Sequence, residues 1–193
     1  MTSTALPQTA TWKLDPAHSS IEFAVKHMMM TTVRGRFKEW SATLTGDEEH
    51  PDGCCVEVHV QAASVDTGAP DRDTHLRSGD FFDVDNYPEI TFRSKRVEGT
   101  ARTEGDEFKL VGDLVIRDTT MEIGLNCIFE GRGTDPWGQE RAGFTVKGDI
   151  DRRDWGLRWN QAIESGGILV AHRVKVEGEV QFVRQPSGES GMP

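Results

Sequence analysis

Apolar and polar side chains alternate one for one along most of the chain, the period of a strand with one buried face. "SIEFAVKH" puts Ile21, Phe23, Val25 and His27 on one face, with Glu22 and Lys26 on the other. "CCVEVHVQ" sets Cys54, Val56, Val58 and Val60 against Glu57, His59 and Gln61. "EITFRSKRV" aligns Ile90 with Phe92, and "FKLVGDLVIR" aligns Phe108, Leu110, Leu114 and Ile116. "IGLNCIFE" and "AGFTVKGDI" follow with Ile123, Leu125, Cys127, Phe129 and then Phe144, Val146, Ile150. The last run, "ILVAHRVKVEGEVQFV", places Val170, His172, Val174, Val176, Val180 and Phe182 opposite Arg173, Lys175, Glu177 and Glu179. With "VRGRFKEWSATL", whose glycine and aromatic neighbours suggest a bend or bulge, about eight strands follow a short opener at Trp12 and Leu14. No sustained helical stripe competes with them.

Eight antiparallel strands with one apolar face each predict an all-β barrel or sandwich. A closed barrel is expected, because closure removes the exposed edges such long strands would present. Its interior is wide enough for one small or elongated ligand. In a simple meander, "TGDEEHPDG", "EGTARTEGD" and "GRGTDPWGQE" close a plain end. The other end receives "MMMTT", the long connection 62–89, "RDTT" and "DRRDWGLRWNQAIESGG". In the long connection, Asp71 or Asp73 is placed to cap a short helix running through Arg77, with Gly79 as its stop, and Phe81 and Phe82 to lie across the mouth as a lid. His27 ends the first strand and His172 begins the last, so both are expected to face inward at the elaborated end, below His75 and beside Arg117.

Length and charge narrow the field. At 193 residues the chain suits one domain, taken as 12–184 between loose tails 1–11 and 185–193. Its 32 acidic against 22 basic side chains give a net charge of −10, which repels phosphate backbones, so no nucleic-acid partner is expected. "MTSTALPQTATWKLDP" lacks the basic and apolar regions of a signal peptide, and no segment matches a membrane span, so a cytoplasmic site is expected. Three cysteines, two of them adjacent, carry no metal-ligand spacing and are expected as reduced, buried thiols.

Candidate chemistry is sparse. A metal-dependent hydrolase could draw on His27, His75, His172 and Asp80 or Asp83, but no diagnostic ligand spacing supports it. Ser165 in "ESGGI" lacks the strand-turn-helix context of a nucleophile elbow. The Met28 to Met30 run could bind metal, though methionines more commonly serve as adaptable apolar filler. A barrel packed solid is the structural alternative, and the inward glycines Gly112, Gly148 and Gly178 argue against it.

The blocks "LDPAHSSIEFAVKH", "GRF", "RDTHLRSGDFFDVDNYPEITFRS", "VGDLVIRDTT" and "IDRRDWGL", in this order, resemble the YceI-like family. The resemblance spans Trp12 to Val183. It implies a lipocalin-like, eight-stranded barrel with a short helix and an elongated apolar pocket. It also implies binding of polyisoprenoids, such as isoprenoid quinones, or other long-chain amphipathic lipids. No catalytic cofactor is implied, and members often form homodimers. The ligand's tail is expected along Phe23, Val25, Phe92, Leu114, Ile116 and Val174, entering past Met29, Phe81 and Phe82. Its polar head is expected near His27, Arg117 and His172. Asp118 stands where the family has a glycine and Val115 where it has a threonine. Since Asp tolerates positive φ, the turn is expected to persist with Asp118 in that conformation.

Overall fold

The computed structural model describes residues 9–47, 50–162 and 167–186. Eleven strands form one sheet. In chain order they are β1 (Ala10–Leu14), β2 (Ser20–His27), β3 (Thr31–Phe37), β4 (Trp40–Asp47), β5 (His50–Gln61) and β6 (Val65–Asp66). Then come the helix α1 (Pro70–Arg77) and the strands β7 (Glu89–Gly99), β8 (Glu107–Ile116), β9 (Thr119–Thr134), β10 (Glu140–Asp151) and β11 (Val170–Arg184). The sheet closes on itself as an eight-stranded antiparallel barrel, because two of its staves are each broken into halves and the two-residue β6 is only a short addition beside β3. The first is β1 and β2, interrupted by a 3-10 turn at Pro16–His18 that Asp15 caps through the Ala17 N–H; both halves pair with β11. The second is β3 and β4, bent at Lys38 and Glu39. β1 pairs with β4, and β2 with β3.

The remaining staves run as a simple meander, from β5 through β7, β8, β9 and β10 to β11. One interval differs. Above Trp40, which pairs with Val60, β3 finds a further partner only in the two-residue β6. The connection carrying α1 fills the space between β3 and β7, through Lys38 N–H to Ser64 O at 3.2 Å, Ala62 N–H to Pro88 O at 2.9 Å and a Phe37–Phe82 edge contact at 5.7 Å.

α1 forms where the sequence places it, with different caps. Pro70 supplies the first helical residue, where its missing N–H costs nothing. Ala69 is the N-cap without a side-chain bond, so neither Asp71 nor Asp73 caps the helix. Asp73 instead reaches back, accepting from the Thr67 N–H at 2.9 Å and its hydroxyl at 2.6 Å, and so ties the helix to the chain leaving β6. The helix ends at Arg77, as expected, but its C-cap is Ser78 in extended geometry rather than Gly79.

Buried apolar side chains form three layers. Val60, Ala62, Ile90, Ile116, Trp155 and Leu157 lie toward the elaborated end. Phe92, Leu110 and Cys127 lie midway, and Ala10, Trp12, Ala42, Ala142 and Phe182 toward the plain end. Ala10 is buried in β1 and the Gln185 N–H donates to Thr11 O at 2.8 Å, so the barrel reaches past both expected tail boundaries. Ser165 lies outside the described residues.

The inward glycines open no space. A Cβ on Gly112 would stand 2.3 Å from Arg93 O and 2.7 Å from the Phe92 ring. One on Gly148 would stand 2.7 Å from a Leu125 methyl. They permit close approach at a bulge and between neighbouring side chains, which corrects their use as evidence for an empty interior.

Candidate ligand cavity

The upper half of the barrel encloses a cavity of about 560 Å³. Its wall is supplied by alternate residues of the staves: Ile21, Phe23 and Val25 from β2, Ile90 and Phe92 from β7, Leu114 and Ile116 from β8, and Val174 and Val176 from β11. Phe37 and Phe82 meet edge to face at the side, and Phe37 lies 5.8 Å from Phe23. Gly35 makes room for this cluster, since a Cβ there would stand 2.4 Å from the Phe23 ring. Below, Phe92, Leu110 and Cys127 form a partition, beyond which a smaller cavity of about 210 Å³ lies among Trp12, Leu44, Phe108 and Phe182.

The mouth is roofed by two connections. α1 leads into a turn where the Phe82 N–H donates to Leu76 O at 3.0 Å and the Phe81 N–H to Ser78 O at 3.0 Å, which points both rings at the cavity. His75 bonds Asp80 through Nε2 at 2.8 Å and stands edge-on to both Phe81 and Trp159. Trp159 belongs to the second connection, which begins as a 3-10 turn at Arg152–Trp155. Asp151 caps that turn by accepting from the Arg153 N–H at 3.0 Å, and Gly156 ends it with φ of 74°, the left-handed conformation glycine adopts without strain. The turn drives Trp155 into the core, where its indole N–H donates to Leu114 O at 3.0 Å.

Nine of the twelve expected ligand contacts line this cavity: Phe23, Val25, His27, Phe81, Phe82, Phe92, Leu114, Ile116 and Val174. Met29, Arg117 and His172 do not. Met28 and Met29 both have positive φ in the β2–β3 turn, which swings Met29 into solvent at 67 % exposure. Arg117 is the residue with positive φ in the β8–β9 turn, at 58°, and Asp118 is not. The Arg117 side chain is thereby carried over the Tyr87 ring, 3.8 Å from Asp83. His172 falls in a bulge: β11 uses four steps from Val170 to Val174 where β2 uses two from His27 to Val25. The expected inward pair of histidines is therefore not formed, and His172 Nδ1 is buried without a hydrogen-bond partner.

Arg152 lines the cavity instead, and nothing in the alternation announces it. It is only 4 % exposed, and burial pulls its basicity below the usual guanidinium range. Its Nε donates to Ala171 O at 3.0 Å, and its terminal nitrogens to Leu157 O and Val170 O. Among the described residues no group of three His, Cys, Asp or Glu side chains is arranged to hold a metal ion.

A closed antiparallel barrel with an apolar chamber under a helical roof defines a class of small-molecule binding folds. The chain belongs to the YceI-like domain family, whose model matches residues 12–182. It is 36 % identical over 172 residues to the UPF0312 protein SERP2314 of Staphylococcus epidermidis, covering 89 % of this chain and 96 % of that one. The crystal structure of the Campylobacter jejuni YCEI protein is 27 % identical, with a TM-score of 0.71 over 96 % of this chain and 100 % of that one. A polyisoprenoid binding domain from Saccharophagus degradans shares the fold at a TM-score of 0.63 and 15 % identity, over 90 % of this chain and 98 % of that one. No helix among the described residues is long and apolar enough to cross a membrane.

Proposed function

We propose that this protein binds and carries a long-chain amphipathic lipid, a polyisoprenoid derivative, in the upper cavity, without catalysing a reaction on it. The observation that carries the proposal is the chamber itself: about 560 Å³ walled by aliphatic and aromatic side chains, with polar groups gathered at its mouth. An empty apolar space of this size forfeits dispersion contacts along its whole lining, and an apolar chain restores them. At roughly 30 Å³ for each methylene-sized unit, the volume share of a water in the liquid, it takes on the order of 19 heavy atoms, close to four prenyl units. Each buried methylene contributes about 0.8 kcal/mol, so such a tail outweighs the association and ordering costs and reaches micromolar affinity or better. The likeness in fold to a polyisoprenoid binding domain supports the same ligand class.

Mass spectrometry of an organic extract from gently purified protein tests this directly. One long-chain lipid per chain is expected. Protein that carries none, and takes up no C20 prenyl alcohol at micromolar concentration, would return the barrel to a structural role.

A further inference from the structure

We infer that the head group of the bound lipid is an oxyanion, a carboxylate or a phosphate ester, and that Arg152 holds it. This rests on the lipid-binding proposal above and adds the chemistry of the head.

A guanidinium stays charged in proteins, and a buried charge is normally paired. Arg152 is buried at the inner edge of the mouth, yet among the described residues no carboxylate lies within ion-pair distance of it. The nearest candidate in sequence, Asp151, favours the charged form of Arg152 from a distance but forms no ion pair with it, because the Arg153 guanidinium clasps it with contacts of 2.9, 3.2 and 2.6 Å. Three backbone carbonyls accept from Arg152. They orient the fork but supply no net charge, and among the described residues two of its five N–H donors, one on each terminal nitrogen, meet no acceptor.

The rest of the lining points the same way. In a protein of net charge −10, the charged residues lining the cavity are Lys26, Arg72 and Arg152 against the single carboxylate Asp71. The two histidines of the lining are His27 and His75, of which His75 is bonded to Asp80. A neutral head would leave the cationic excess uncompensated, whereas an oxyanion meets it with the charge-assisted, forked hydrogen bonds that guanidinium forms best.

The experiment compares three C20 probes with one tail: geranylgeraniol, geranylgeranic acid and geranylgeranyl monophosphate. Binding is read from the fluorescence of Trp159, which lines the cavity. In the wild type both anions are expected to bind at least about tenfold more tightly than the alcohol. The tighter of the two anions identifies carboxylate or phosphate as the natural head. In Arg152→Gln the preference is expected to fall below about threefold, and in the double variant Lys26→Gln/Arg72→Gln to survive in large part. Where Arg152→Gln melts below the assay temperature, Arg152→Lys replaces it: a narrowed preference supports the assignment and an unchanged one overturns it. Equal wild-type affinity for all three probes overturns the anionic head while leaving lipid binding intact. A preference unchanged in folded Arg152→Gln overturns the role of Arg152. Binding of none of the three overturns the lipid-binding proposal itself.

Discussion

The imidazole of His75 stands perpendicular to the indole of Trp159, with ring centroids 4.5 Å apart and an interplanar angle of 89°. The two residues come from different connections, α1 and the segment between β10 and β11, so this contact joins the two halves of the roof. Asp80 fixes the imidazole from the other side, and Phe81 packs against both rings. On the lipid-binding proposal, a ligand entering between the two connections would part them.

Trp159→Ala should therefore speed ligand release. An edge-to-face aromatic pair contributes about 0.5–1.5 kcal/mol beyond its buried area, which corresponds to roughly a two- to twelvefold faster off-rate. Stopped-flow displacement measures it. An unchanged off-rate would show that cargo leaves by another route.

Leu114→Trp tests the chamber. Leu114 lines the cavity and its backbone carbonyl keeps the Trp155 bond whatever its side chain. An indole projecting into empty space should block uptake of a C20 chain while lowering stability by less than about 1 kcal/mol, against the 1–3 kcal/mol of overpacking in a filled core. Thermal melts and binding isotherms of the same sample decide between the two.

The plain end carries an acid-sensitive lock. Arg141 and His18 hold the Asp15 carboxyl down to about 2 from 3.8, and Arg141 also binds Asp135 at 2.7 Å. Because the folded value lies below the unfolded one, the stabilisation is fully present above about pH 4 and is lost as pH falls through about 2. Allowing for partial solvent exposure, it is worth about 1–2 kcal/mol. Asp15→Asn should melt below wild type from pH 5 to 7, and the two should converge toward pH 2. A gap that stays constant to pH 2 would contradict this origin.

Cys127 should be chemically silent in the folded protein. Burial pushes its thiol up to about 11, and it is 2 % exposed. At pH 8 the reactive thiolate is thus roughly a hundredfold scarcer than for a free thiol with a pKa of 9. Aromatic disulfide reagents should label it only after unfolding in urea, as mass mapping of the modified peptides would show. Labelling in the native protein would mean that the partition between the two cavities opens.

Much of the barrel was legible because a strand with one wet face writes its period into every second residue. The staves and seven of the nine wall residues follow from that period, while Phe81 and Phe82 come from the long connection. What escaped it shares one cause, local backbone geometry without a sequence period. The bulge before Val174 preserves the appearance of alternation while turning His172 out of register. Met29 and Arg117 lie in turns whose positive φ falls on residues that seldom adopt it. Arg152 stands in "DRRDW", four polar or charged residues before a tryptophan, and only the 3-10 turn shows which guanidinium folds inward. The adjacent acid belongs to its neighbour.

The interval between β3 and β7 has a mechanical meaning. Every neighbouring pair of staves shares a backbone ladder along part of its length, from β1 and β4 round to β11 and back, although the β5–β7 ladder stops at Glu57 and Arg93. Near the mouth, the interval between β3 and β7 is bridged by a two-residue strand, a short helix and ring contacts, and the β9–β10 ladder stops at Asn126 and Lys147. The barrel is accordingly laced along its wall and looser at its rim. Widening the wall would break ladder bonds, whereas parting the rim between β3 and β7 separates mainly side chains that can meet again. On the lipid-binding proposal, the mouth would widen where side chains rather than ladder bonds close it.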